Sequence, residues 1–302
     1  SQSTFRAGGI SNTTKGLYIG GSTNAGTTTV NTIDQITIGS TGNATDFADL
    51  ATATSGHSAA SAEFPAVQNE SYFAPAAIGL YAGGHPYQSL IVYLNIATDG
   101  KIGFFGDLIT GRSQTVNGTM SSTTRGLFAG GFDGSNAQNV IEFVTFSTKG
   151  KATDFGDMTT NKTEAACFSS STRGIIAGGD STNGGNLIDV VEYVTIASAG
   201  NGTDFGDMTT ATVQLGSTSN TTRGLVAGGL TSGLTNVIEY FTIASTGDAT
   251  DFGDLTEARR VTPAGVSSST RAVFAGGLAS SASNVMDYVT ISSTGNATDF
   301  GD

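Results

Sequence analysis

Six times along its 302 residues the chain writes a short apolar run that ends in two glycines. The copies are KGLYIGG at Lys15–Gly21, IGLYAGG at Ile78–Gly84, RGLFAGG at Arg125–Gly131, RGIIAGG at Arg173–Gly179, RGLVAGG at Arg223–Gly229 and RAVFAGG at Arg271–Gly277. The second glycines lie 63, 47, 48, 50 and 48 residues apart. A second marker keeps the same phase: TDFAD at Thr45–Asp49, GFFGD at Gly103–Asp107, and TDFGD at Thr153–Asp157, Thr203–Asp207, Thr250–Asp254 and Thr298–Asp302. A period of this length describes one supersecondary unit stacked on copies of itself, because a unit this small cannot bury its apolar face alone.

Four short extended segments are legible inside a unit. In the third, Gln114–Ser121 alternates weakly, Gly126–Ala129 is apolar, Val140–Phe146 is β-branched and aromatic, and Thr153–Phe155 is brief. STGNAT-like segments, as at Ser40–Thr45 and Ser293–Thr298, join the last two, with Gly and Asn expected to supply the φ > 0 positions of a tight hairpin. With 43 glycines and few Leu, Lys or Glu, the chain has little from which to build helices. The prediction is an all-β chain forming a single six-bladed propeller with four antiparallel strands per blade, the blades covering 1–49, 50–107, 108–157, 158–207, 208–254 and 255–302. Each Gly pair is expected to let the chain turn where a neighbouring backbone comes close. The spacing before Lys15 matches that between Asp157 and Arg173, so the two ends are predicted to lie side by side, with side-chain packing between the first and last blades closing the ring.

Charge narrows the function classes. Thirteen basic residues against 25 acidic ones, with no basic stripe, argue against nucleic acid or an anionic membrane surface as partner. No apolar run nears the ~18 residues of a membrane helix, so membrane insertion is not expected. The start lacks a signal-peptide layout and an initiator Met, which suggests a processed or excised chain. The one cysteine, Cys167, follows Ala165 and Ala166 and reads as a small buried hydrophobe. His57 and His85 are the only histidines and form no repeated nitrogen-ligand set, so neither a metal nor another cofactor is expected. The Asp pairs of TDFGD, on opposite faces of an extended strand, do not converge as calcium ligands must. The sequons at Asn43, Asn201 and Asn296 fall in the hairpin turn and read as turn asparagines rather than glycan sites.

Charged residues also repeat. A basic residue opens the second strand at Lys15, Arg125, Arg173, Arg223 and Arg271; an acid sits in the third at Asp34, Glu142, Glu192, Glu239 and Asp287; an Asp precedes the Phe at Asp46, Asp154, Asp204, Asp251 and Asp299. The second unit has Ile78, Val92 and Phe104 instead. Loss of all three together predicts that they compensate one another as a buried structural ionic network.

In an up-down-up-down blade the connections after strands two and four emerge at one end, and those after one and three at the other. The second set is nearly constant, as in SSTTR and STGNAT, whereas the first set differs in every blade. Within it stand HPYQS from His85, FDGSNAQ from Phe132 and DSTNGGN from Asp180. An insertion of about 13 residues within Ala51–Ala77 is assigned to the same end, after a fourth strand or in the first strand it leads to. Loops on a rigid scaffold are where recognition residues collect, so His57, Phe64, Tyr72, His85, Tyr87, Phe132, Asp133, Asp180 and Asn183 are the candidate ligand-binding residues.

The Gly pair ending the second strand (Gly130 and Gly131), an aromatic in the third (Phe143, Tyr193, Tyr240, Tyr288) and Phe155 in the fourth resemble the kelch family of β-propellers, with Phe where that family prefers Trp. The texture of VTIAS, STGNATDFGD and RGLFAGG resembles kelch-like repeats in virion proteins of marine cyanobacterial phages. That resemblance implies a non-enzymatic binding or structural module, a virion or tail-fibre component outside the cell or on the virion surface. Its partners would be other virion proteins or a host-surface glycan or protein. The alternative is a secreted or surface-anchored bacterial propeller for adhesion or assembly; an enzyme using the central channel is the least favoured reading.

Overall fold

Each repeat folds into four antiparallel strands of one sheet, with Asn117–Gly118 adding a short parallel strand to the fourth sheet, and six such sheets make a six-bladed β-propeller in the computed structural model, which describes residues 3–4, 6–23, 28–62, 78–96, 102–118, 120–260 and 265–302. Blade three shows the pattern: Met120–Ser121 pairs Arg125–Ala129, which pairs Val140–Thr145, which pairs Thr153–Asp157. Every blade is contiguous in sequence, from Gly8–Ser11 to Thr45–Asp49 in the first and from Val266–Ser267 to Thr298–Gly301 in the sixth.

The apolar run before each Gly pair is continuous because both faces of a blade are covered. Alternate residues of one strand serve different interfaces: Leu127 and Ala129 pack toward blade four, Phe128 toward blade two. Six apolar clusters result, each shared by two adjacent blades, and the sixth joins Val273, Ala275 and Phe300 to Tyr18, Ile36 and Ile38 across the ends of the chain. The first strands converge on the axis and are correspondingly small in composition, as in GGIS, SAASA and GSTS. Cys167 is buried in the cluster between blades three and four, and burial pushes its thiol pKa up, away from reactivity.

Two backbone joints repeat at the interfaces. In the first, the second glycine of each pair donates its N–H to the carbonyl of the loop entering the next blade: Gly21 to Thr54 at 2.8 Å, Gly84 to Arg112 at 2.9 Å, Gly131 to Lys162 at 2.8 Å, Gly179 to Thr212 at 2.9 Å and Gly229 to Arg259 at 2.9 Å. The first glycine of the pair is left-handed and lies under the same carbonyl; a Cβ on Gly130 (φ +55°) would sit 2.4 Å from the Lys162 oxygen. In the second joint, the hairpin turn of one blade crosses the bulged last strand of the blade before it. Gly200 N–H bonds to the Phe155 carbonyl at 2.7 Å, Asn201 Oδ1 accepts from Asp157 N–H at 3.0 Å, and a Cβ on the bulge glycine, Gly156 (φ +143°), would come within 2.5 Å of the Gly200 oxygen. The TDFGD and STGNAT markers are therefore two halves of one contact.

Two expectations are corrected. The turn asparagines do not have positive φ; the glycine before Asn43 and Asn296 does (Gly42, φ +157°, and Gly295, φ +155°), and Asn43, Asn201 and Asn296 instead accept hydrogen bonds from the preceding blade. The ring closes through more than side chains: Gly277 N–H bonds to the Thr4 carbonyl at 2.9 Å, Gly42 N–H to Phe300 at 2.9 Å and Ala44 N–H to Asp302 at 3.1 Å, the same bonds as at the internal interfaces.

Gly130→Ala is expected to lower the unfolding free energy by about 2–3 kcal/mol, through a strained φ and a carbonyl clash together. Gly185→Ala, also at positive φ (+99°) but in open space, is expected to cost only about 1 kcal/mol. Urea denaturation of the two variants measures the difference; equal losses would mean that the clash with the next blade is absent.

Candidate functional site

At one end of the propeller the loops after the second strands meet the connections after the fourth. Isolated bridges tie them, Ser113 to Phe132, Thr163 to Asp180 and Val213 to Leu230. The connections then wind around the axis: Gly56 N–H bonds to Arg6 O at 3.0 Å, and Gln114 to Gly56, Glu164 to Gln114 and Gln214 to Glu164 each at 2.9 Å. All five residues have positive φ. Four of them carry long polar side chains into the mouth of the channel. Arg6 Nη2 reaches Glu164 Oε1 at 2.9 Å from the opposite blade, Gln214 Nε2 donates to Glu164 Oε2 at 2.7 Å, and Arg260 Nη1 donates to Gln214 at 3.4 Å. Among the described residues these contacts form a polar plug across the axis, from blade one to blades four, five and six.

Beside the plug lies a cavity of about 260 Å³ lined by Arg6, Gln114, His85, Tyr87, Phe132 and Asn183. His85 and Tyr87 meet edge to face with centroids 6.2 Å apart, Tyr87 and Phe132 likewise at 5.9 Å. Tyr87 is 42% exposed and its backbone is left-handed (φ +53°), as is that of Asn183 (φ +59°). The structure thus brings four of the sequence-predicted residues, His85, Tyr87, Phe132 and Asn183, into one cavity with two that sequence reading missed.

The remaining candidates are placed otherwise. Asp133 accepts from Ser135 N–H and Asn136 N–H at 2.8 Å each and from Gln138 Nε2 at 2.9 Å, and the Asn136 and Ser135 donors hold its carboxyl below the usual range. Burial opposes ionisation of Asp180, but the N–H groups of Thr182, Gly185 and Asn186 outweigh it and hold that pKa low as well. Both carboxylates fold their own loops. His57 is buried between blades one and two, its ring 4.6 Å from that of Tyr81 in space left by Gly8, where a Cβ would come within 2.6 Å of Nε2. Desolvation pushes it down to about 4, so it packs as a neutral ring and not as a surface ligand.

The insertion is also corrected. The step from Asp49 to Ser58 equals that from Asp157 to Ala166, so the connection after the fourth strand of blade one has ordinary length. The excess falls between Ala62 and Ile78, which pair at the end of the first hairpin of blade two, where the other blades carry SSTTR. That is the opposite end of the propeller. Phe64 and Tyr72 lie outside the described residues.

The three repeated charges do not form one network. Arg125, Arg173, Arg223 and Arg271 lie 4.2–4.5 Å over the rings of Phe143, Tyr193, Tyr240 and Tyr288. Each also donates to a carbonyl of the next blade, Ile196, Ile243, Ile291 and, across the closure, Ile38. Lys15 sits over Phe47 at 5.2 Å. Asp46, Asp154, Asp204, Asp251 and Asp299 are exposed. Asp34 is half-buried, and its pKa is raised, first by desolvation. The buried acids take different cations: Glu142 pairs Arg112 at 3.1 Å, Glu192 pairs Lys162 at 3.4 Å and Asp287 pairs Arg259 at 2.7 Å, with side chains no more than 1% exposed. Those cations stand at a constant offset after the closing Asp of the TDFGD marker, a signal present in the sequence. In blade two the equivalent positions are Val92 and, five residues after Asp49, Thr54, so acid and cation are absent together there.

No protein-family model matches the chain, and no curated protein matches it. Among the described residues no group of three or more His, Cys, Asp or Glu could hold a metal ion.

Arg112→Thr strands the Glu142 carboxylate in the interior and is expected to cost about 3–5 kcal/mol. The double variant Arg112→Thr/Glu142→Val, which copies blade two, is expected to recover most of that loss in thermal and urea unfolding. Additive losses would show that the two groups are not coupled.

Proposed function

We propose that the protein is a non-enzymatic recognition propeller of a phage virion, a tail-fibre or virion-surface component that binds a host-surface glycan at the variable-loop end. The observation that carries this reading is the Tyr87–Phe132 pair lining, together with the polar Arg6, Gln114 and Asn183, a cavity of about 260 Å³. A sugar ring presents apolar C–H faces and hydroxyl edges together. Aromatic rings pack against the first, and fixed amide and guanidinium N–H groups donate to the second. Phe132 is pinned by bridges to Ser113 and Ala137, and the Tyr87 loop by the His85 N–H to Ser55 and Gln88 N–H to Gly84 backbone bonds, so little ordering entropy is lost on binding. The resemblance of the repeats to kelch-like virion proteins supports the setting.

Glycan-array binding by the intact protein tests this. Tyr87→Ala and Phe132→Ala are each expected to weaken the strongest glycan signal about tenfold or more, while Asn220→Ala, at the opposite end, leaves it unchanged. Absence of any glycan signal, or equal loss in all three variants, would refute the reading.

A further inference from the structure

Blade five departs from the ion-pair pattern on one side only. Its buried acid is kept as Glu239, 4% exposed, but the position that is Arg112, Lys162 or Arg259 in blades three, four and six is Thr212. The four positions are equivalent in backbone, since each carbonyl accepts the same bond from the Gly pair of the blade before: Gly84 to Arg112, Gly131 to Lys162, Gly179 to Thr212 and Gly229 to Arg259. The threonine does not serve the carboxylate, because its hydroxyl donates to the Thr210 carbonyl at 2.8 Å. Where the missing side chain would run there is instead a cavity of about 160 Å³ lined by Met208, Thr209, Thr212, Thr231, Thr235 and Glu239. Glu239 Oε1 accepts from the Thr209 N–H at 3.2 Å and from the Thr209 hydroxyl. Its Oε2 is buried without a hydrogen-bond partner.

We propose that this blade-five cavity binds a compact organic cation carrying N–H donors, a guanidinium or a primary alkylammonium, with the Glu239 carboxylate as counter-ion. The shape and chemistry of the occupant are written in the protein itself. In blades three and six the corresponding acid receives a guanidinium and in blade four an ammonium, each buried. A buried carboxylate oxygen that lacks a partner costs free energy that such a cation would return. Burial raises the Glu239 pKa, with the Thr209 bonds opposing and Asp251 adding to the rise, which is the state of a carboxyl not yet given its counter-charge. Thr231 and Thr235 belong to the loop after the second strand of blade five, so the cavity opens at the variable-loop end, in a different blade from the Tyr87–Phe132 cavity. The proposal does not depend on glycan binding.

The test is a titration of the intact, 15N-labelled protein with methylguanidinium and ethylammonium chlorides at constant ionic strength, following backbone amides by NMR. Saturable shifts at Thr209, Thr212 and Thr231 are expected, with tetramethylammonium, which has no N–H donor, and sodium giving none. N-acetyl-arginine amide and N-acetyl-lysine amide form a second arm: binding of these points to a basic side chain of a partner as the source, and binding of the small cations alone to a free ligand. Glu239→Gln is expected to weaken binding about tenfold or more. Thr212→Lys, which restores the blade-four arrangement, is expected to abolish binding and raise the melting temperature. It also serves as the test if Glu239→Gln fails to fold. No saturable shift in the native protein, equal response to sodium, or binding retained in Thr212→Lys would overturn the proposal.

Discussion

The structure depends on a carbonyl oxygen that must be met by a backbone N–H from the blade before it. At each interface the loop entering a blade presents that carbonyl, and the Gly pair of the preceding blade turns beneath it with one N–H aimed upward. A single such bond contributes only about 1 kcal/mol net, far less than the apolar cluster around it. Its force lies in what happens if it is lost, since a buried carbonyl and N–H would both go unmatched. Apolar packing therefore drives the blades together, while the backbone joints fix their register. The glycines are required twice over, for a left-handed turn and for a surface flat enough for another chain to approach.

The same division explains what was legible in the sequence. The repeat, the strands and the closure follow from periodic apolar residues and glycines, signals that recur at every copy and that depend on local geometry. The pairing of charges was misread because Arg125 and Glu142 are near in sequence and share a sheet, whereas their actual partners come from elsewhere: Arg125 reaches Phe143 and the Ile196 carbonyl, and Glu142 reaches Arg112. The placement of the insertion failed for a related reason. Small, polar first strands such as SAASA carry little apolar signal, so the boundary between strand and insertion could not be fixed from composition. His57 looked like a loop residue because the glycines that make room for it, such as Gly8, are distant in sequence.

The repeat is broken at one end of the propeller and kept at the other. The serine-rich turns at one end are nearly constant, and in the SSTTR-like turns the side chain of the second residue caps the turn, as Ser122 does for Thr124 and Arg125 and Asn220 for Thr222 and Arg223. At the other end, equal backbone positions carry Arg6, Gly56, Gln114, Glu164 and Gln214, which turns a ring of like elements into an asymmetric polar plug. Blade five keeps its acid and gives up its cation, while blade two gives up both. A propeller tolerates such changes because the joints between blades are mostly backbone, leaving side chains at the loop end free to diverge.

Hydrogen–deuterium exchange at individual amides tests the closed ring most directly. If the last interface is built as the internal ones are, Gly42, Ala44 and Gly277 will exchange within about tenfold of Gly200, Gly202 and Gly179, their counterparts between blades. Exchange of Gly42, Ala44 and Gly277 at unprotected rates while Gly179, Gly200 and Gly202 stay protected would show that the first and last blades are not joined, and would contradict the account.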